Sequence, residues 1–201
     1  ADGIEFDTYQ HDDGIVVFHD RTLKRRAREP GYLLDASWQA LREMDIGEGE
    51  RIPTLSETLK CVVDNKWCNI EIKHLNDVDS WVEDVKQAVQ ESGINVDKLL
   101  LSSFNHHWLH AIAKRWPKVK IGALSASYEL DCTASARALN AYSVNIALDA
   151  VDKSFVHEAL RDGFDVFVYT VDEPRDMLML REWGVTGIFT NVPDTALKAL
   201  S

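Results

Sequence analysis

The sequence predicts an α/β fold of the (β/α)8 TIM-type barrel class, on three observations. Apolar, strand-like runs alternate with helix-like stretches from residue 69 to the C-terminus. Polar residues gather at the C-terminal ends of those runs, at Asp7, Lys73, Ser102-Ser103, Tyr169 and Asn191, which is where a barrel has its mouth. No Gly-rich loop follows the first strand, which weakens the dinucleotide-binding open sheet.

The elements follow in order. Residues 3–9 read as a strand, His11-Asp12-Asp13-Gly14 as a turn with Gly14 free to take positive φ, and Ile15–Phe18 as a second strand forming a hairpin with the first. Residues 20–54 are charged and weakly periodic. They hold a basic cluster of Lys24, Arg25, Arg26 and Arg28, read as an exposed loop face or a phosphate contact, and a short helix over 37–44. Thr54 and Glu57 occupy capping-box positions for a helix running to about residue 65.

Strands are then expected at 69–73, 99–102, 120–124, 144–148, 164–171 and 186–190. Helices are expected at 79–91, 106–115, 129–139, 153–161 and 174–183, with a final helix starting at Pro193. Gly93, Pro117, Gly163 and Gly184 punctuate them. The run 164–171 is nearly unbroken in apolar content, as for a strand covered on both faces. The count is seven strands of parallel type plus the short hairpin strand, one short of a closed barrel.

Length and composition fit one domain over residues 1–201, with a hairpin and loop excursion at about 9–68. Hydrophobic residues make up 45% and charged residues 27%, an ordinary globular balance. The formal charge of −11 argues against nucleic-acid binding and gives no reason to expect an anionic membrane partner. It leaves room for an anionic small-molecule substrate, because a metal and local cations reverse the field inside a cleft. Cysteines at 61, 68 and 132 are too few for a disulfide framework. They read as buried thiols of a reducing, cytoplasmic location. No apolar run reaches membrane-spanning length.

The chemistry is expected on two strands. Glu5 and Asp7 share one face of the first, and Glu71 and Lys73 share one face of Asn69–Lys73. Carboxylates gathered on one face repel each other, and a cation between them removes the cost. We therefore expect Glu5, Asp7 and Glu71 to meet around one divalent metal, with Lys73 beside a bound anion. All-oxygen ligands favour Mg²⁺ or Ca²⁺ over zinc. His19 reads either as a surface histidine paired with Asp20 or, from its place after a strand that hairpins back against Glu5 and Asp7, as a proton-transfer group. Ser103 and Asn105 cap the next helix or line a pocket, and Tyr169 belongs either to the core or to the substrate pocket.

The motifs Ala1-Asp2-Gly3-Ile4-Glu5-Phe6-Asp7, Asp13-Gly14, Val17-Phe18-His19-Asp20, Arg51-Ile52-Pro53-Thr54-Leu55, Asn69-Ile70-Glu71-Ile72-Lys73, Leu101-Ser102-Ser103-Phe104-Asn105 and Gly187-Ile188-Phe189-Thr190-Asn191-Val192-Pro193-Asp194 resemble, in order, those of the glycerophosphodiester phosphodiesterase family. The resemblance implies a (β/α)8 barrel and hydrolysis of glycerophosphodiesters to glycerol 3-phosphate and an alcohol. It also implies Glu5, Asp7 and Glu71 as metal ligands, His19 as one of two catalytic histidines, and Lys73 as the basic residue near the phosphate. A His-Arg-Gly strand, which in the family supplies the other histidine and a phosphate-binding arginine, is expected ahead of Ala1. The barrel expected in these residues therefore lacks its first strand and helix. The alternatives are a phospholipase D-like activity on lysophospholipids and a non-catalytic metal- or phosphate-binding homologue.

Overall fold

The structure is a computed structural model that describes residues 1–62 and 66–201. The chain divides into two compact units, one of Ile4–Leu99 and one of Ala1–Gly3 with Leu100–Ser201.

The first unit opens with β1 (Gly3–His11, whose first residue belongs to the second unit) and β2 (Gly14–Val17), an antiparallel hairpin in the register Thr8 to Val17 through His11 to Gly14. Gly14 has φ 150°, and a Cβ there would lie 2.9 Å from the Trp38 ring, so the turn needs glycine for space as well as conformation. Helix α1 (Trp38–Glu43) is capped by Ser37, whose Oγ accepts from the Ala40 amide at 3.2 Å. A small two-stranded ribbon, β3 (Asp45–Gly47) and β4 (Glu50–Arg51), follows. It is not foreshadowed in the sequence, because two- and three-residue charged strands carry no period-2 apolar pattern.

Helix α2 (Leu55–Lys60) carries the expected capping box. Thr54 Oγ1 accepts from the Glu57 amide at 3.2 Å, and the Thr54 amide donates to Glu57 Oε2 at 2.8 Å. The helix ends at Lys60 rather than near 65, and residues 63–65 of the expected helix lie outside the described residues. Cys61, expected to be buried, is exposed at the helix cap, where its thiol donates to the Glu57 carbonyl. Strand β5 (Trp67–His74) and helix α3 (Val78–Ser92) complete the unit, with Trp81, Val82, Val85, Ala88 and Val89 buried on one helix face. The strand order here is β5-β1-β2. A core of Tyr9, Val16, Phe18, Leu33, Leu41 and Ile52 fills the space under the loop excursion.

The second unit is the regular βα repeat. It runs β6 (Leu99–Ser103, whose first residue belongs to the first unit), α4 (His106–Arg115), β7 (Lys120–Ser125), α5 (Ala134–Leu139), β8 (Ser143–Ala147), α6 (Lys153–Arg161), β9 (Asp165–Tyr169), α7 (Pro174–Trp183), β10 (Gly187–Ile188) and α8 (Pro193–Leu200). Neighbouring strands from β6 to β10 pair in parallel. Parallel strands joined through helices are the repeat from which (β/α)8 folds are built, and the fold class is the expected α/β one.

Two expectations shift. Helix α5 starts at Ala134 instead of 129, because Leu130 is fully exposed and offers no apolar face, while Arg137 ties Asp131, Thr133 and Asp162 into a polar knot at the helix start. Strand β9 is not covered on both faces: Val166 and Val168 are buried, whereas Phe167 is only partly so.

Candidate active site

Strands β1 and β5 present the site. Because side chains alternate along a strand, Phe6 enters the core while Glu5 and Asp7 leave by the other face. On β5, Ile70 and Ile72 are buried, and Glu71 and Lys73 share the opposite face. The Thr8 hydroxyl donates to the Glu71 carbonyl at 2.9 Å and ties the two strands together. One carboxylate oxygen from each of Glu5, Asp7 and Glu71 then lies within 4.8 Å of the other two.

Lys73 lies against this cluster. Its Nζ donates to Glu71 Oε1 at 2.8 Å and stands 3.3 Å from Asp7 Oδ1. Burial works to lower the Lys73 pKa, but the hydrogen bond and charge of Glu71, with Asp7 behind them, outweigh it and hold the group up at about 12. Glu71 is raised by burial, with the Lys73 hydrogen bond pulling the other way and Asp7 adding to the rise. Glu5 makes no salt bridge among the described residues. Burial and the carboxylates of Asp7 and Glu71 push it up to about 8, against a weaker pull from Lys73.

Three carboxylates against one ammonium leave a negative charge uncompensated, and the raised Glu5 records it. A divalent cation removes that deficit, so the donor set fits one. The donors are all carboxylate oxygens, the chemistry of a hard ion. Neighbouring Cys68 adds no thiolate, since burial and then the Glu5 charge push its thiol up to about 12.

His19 follows β2. The Phe18 amide donates to the Asp7 carbonyl at 3.0 Å, which brings the chain into His19 alongside the carboxylate strand. His19 is close enough to the cluster for its charge to act on Glu71. Its Nδ1 lies 2.6 Å from Asp20 Oδ1. Asp20 is in turn gripped by Arg25, Nε to Oδ2 at 2.5 Å and an Nη to Oδ1 at 2.6 Å. The Arg25 hydrogen bond, helped by that from His19, holds the Asp20 carboxyl well below the usual carboxylate range. An ionised carboxylate only accepts, so the 2.6 Å contact favours a proton on Nδ1 with Nε2 open for chemistry, while an Arg25 Nη, which only donates, lies 3.2 Å from the same Nδ1 and competes for it. The sequence indicated Asp20 as a partner of His19, whereas Arg25 was read only as part of an exposed basic cluster. A loop contact five residues apart leaves no periodic trace.

Tyr169, at the end of β9, belongs to the second unit. Its hydroxyl donates to the Ser125 carbonyl at 2.8 Å, and its ring meets Phe104 edge-on with centroids 6.2 Å apart. Asn105 caps α4 by accepting from the His107 and Trp108 amides, and Ser103 Oγ accepts from the Asn105 amide. In the Asn191 motif, Asp172 accepts from Thr190 Oγ1, the Asn191 amide and Asn191 Nδ2 at 2.8–3.0 Å. This local lock gives Asn191 a structural task that the sequence did not reveal.

Comparison with known proteins places these residues in context. The model of the glycerophosphoryl diester phosphodiesterase family matches residues 1–195. A glycerophosphodiester phosphodiesterase from Caldanaerobacter subterraneus subsp. tengcongensis is 32% identical, over 98% of this chain and 85% of the relative. One from Bacillus altitudinis is 28% identical, over 98% and 86%. Among solved structures, an Oleispira antarctica phosphodiesterase in complex with the product sn-glycerol-3-phosphate superposes with a TM-score of 0.89. It is 23% identical, with 98% of this chain and 84% of that one covered, a likeness of fold.

Proposed function

This chain belongs to the glycerophosphoryl diester phosphodiesterase family, and from that premise we propose that it hydrolyses glycerophosphodiesters in a metal-dependent reaction to glycerol 3-phosphate and an alcohol. The observation that carries the metal dependence is the meeting of Glu5, Asp7 and Glu71 within 4.8 Å, with Lys73 as their only basic neighbour by salt bridge among the described residues.

Glu5, Asp7 and Glu71 would hold a Mg²⁺ or Ca²⁺ ion, which when bound supplies Lewis-acid stabilisation of the charge gathering on the phosphoryl oxygens. Lys73, kept protonated by its two carboxylate partners, lends positive charge to the same oxygens. The glycerol hydroxyl next to the ester attacks phosphorus, the bond to the alcohol oxygen breaks, and a cyclic phosphate forms. Water then opens the ring to glycerol 3-phosphate. In the first step one proton leaves the hydroxyl and one reaches the departing oxygen. His19 performs one of these transfers at Nε2, and its Nδ1–H bond to Asp20 stabilises the imidazolium whenever the ring holds both protons. Tyr169 is assigned to the substrate from its place at a strand's C-terminal end.

The substrate is a small molecule. Among the described residues no helix is long and apolar enough to cross a membrane. The three free cysteines fit the cytoplasmic assignment, which fails if fractionation finds the protein in an oxidising compartment. The activity is tested by coupling release of glycerol 3-phosphate to its dehydrogenase, with chelator and then with Mg²⁺ or Ca²⁺ restored. Turnover that disappears in chelator and returns with the ion is the expected result. No turnover under any condition, or full turnover in chelator, overturns the proposal.

A further inference from the structure

Residues 21–34 carry five cations, Arg21, Lys24, Arg25, Arg26 and Arg28, against one carboxylate, Glu29, a local +4 within a chain of −11. The segment is a fixed platform rather than a loose strand of charge. Leu23, Ala27 and Leu33 are buried in the core beneath it. The Ala27 amide closes a helical turn on the Leu23 carbonyl at 2.9 Å, and Leu23 and Leu33 bond back to Gly31 and Arg21. Anchoring the small and apolar residues inward turns the cations outward, where all five are exposed. Arg25 is taken by Asp20, which leaves Arg21, Lys24, Arg26 and Arg28 to act on the surroundings. Lys24 and Arg28 line a shallow cleft of about 480 Å³ with the exposed ring of Tyr32.

The platform begins two residues after His19 and touches His19 and Asp20 through Arg25. The Tyr9 hydroxyl donates to the His19 carbonyl at 3.3 Å, and an Arg25 Nη lies 3.2 Å from His19 Nδ1. An anion approaching three carboxylates on a net-acidic protein is repelled over most of the surface. A cationic patch at the site's edge reverses that field locally and raises the anion's concentration there.

We propose that the Arg21–Tyr32 platform selects glycerophosphodiesters whose alcohol portion leaves the molecule a net anion, the polyol diesters, over zwitterionic ones whose alcohol carries a cation. This rests on the phosphodiesterase reading above and names the substrate class of that site. The phosphate is common to both classes. Only the polyol diester lacks an internal cation to cancel it, so only it gains fully from Lys24, Arg26 and Arg28.

The test is kcat/KM for glycerophosphoglycerol and glycerophosphocholine with the full chain, at ionic strengths of about 0.01 M and about 1 M, where the Debye length falls from about 30 Å to about 3 Å. The variant is Lys24→Gln/Arg26→Gln/Arg28→Gln. A control, Lys114→Gln/Lys118→Gln/Lys198→Gln, removes the same charge from exposed positions of the other unit. At low salt the platform variant should lose roughly three- to tenfold with glycerophosphoglycerol and less than about twofold with glycerophosphocholine, and the loss should vanish at high salt. Equal losses on both substrates, no loss, or the same loss in the control overturns the proposal. So does a variant whose sole defect is sedimentation with phosphatidylglycerol vesicles, since the platform would then contact membranes. If neither diester is turned over, the proposed activity fails. Calorimetric binding of glycerophosphoglycerol at the two ionic strengths then decides the platform's role by the same comparison.

Discussion

His19 Nδ1 lies 2.6 Å from Asp20 Oδ1, and Arg25 holds Asp20 from its other side. The carboxylate cannot itself donate and so favours the proton on Nδ1, against an Arg25 Nη 3.2 Å from the same nitrogen. In Asp20→Asn the amide can donate to Nδ1 as easily as accept from it, which frees the proton to move to Nε2. Activity should fall roughly tenfold to a hundredfold, the usual cost of losing an orienting partner. Nitrogen NMR should show the His19 ring shifting toward the Nε2–H form. A variant with unchanged turnover and an unchanged tautomer would show that Asp20 orients nothing.

Lys73 was expected beside a bound anion, and the structure pairs it with Glu71 and Asp7. The two roles separate in Lys73→Met. Removing the ammonium strips a transition-state partner, so kcat/KM should fall roughly a hundredfold. It also leaves the carboxylates less compensated, so Mg²⁺ affinity should hold or tighten, while Tm in chelator drops by roughly 2–4 °C. A folded variant with undiminished kcat/KM rejects the phosphate role, and a weakened Mg²⁺ affinity rejects the counter-ion role.

Glu5 supplies a pH test. Its folded pKa of about 8 stands above the ordinary value of 4.5. The folded state thus binds more protons than the unfolded state between those values, and stability falls as pH rises through the window. Metal-free protein should therefore melt progressively lower from pH 6 to pH 8, and saturating Mg²⁺ should flatten or reverse the trend. A flat profile in chelator would mean that Glu5 carries no raised pKa.

What the sequence revealed follows physical locality. The Gly14 turn, the Thr54–Glu57 capping box and the apolar face of α3 are set by residues within one turn of each other, and all were legible. So was the alternation that puts Glu5 with Asp7 and Glu71 with Lys73. The β3–β4 ribbon was hidden because its residues are too few and too polar to show a period. The late start of α5 depends on Arg137 reaching Asp162, and the grip of Arg25 on Asp20 depends on how the loop folds over Leu23 and Leu33. Neither is written in local pattern. Lys73's partners were on the right strands, but only side-chain positions show that its ammonium is already engaged.

The most direct measurement is calorimetric titration of the metal-free chain with Mg²⁺ and with Ca²⁺, in wild type, Glu5→Gln and Glu71→Gln. One ion per chain should bind the wild type, with affinity roughly tenfold to a hundredfold weaker in each variant. No binding to the wild type, or equal affinity in all three proteins, would contradict a single ion shared by Glu5, Asp7 and Glu71.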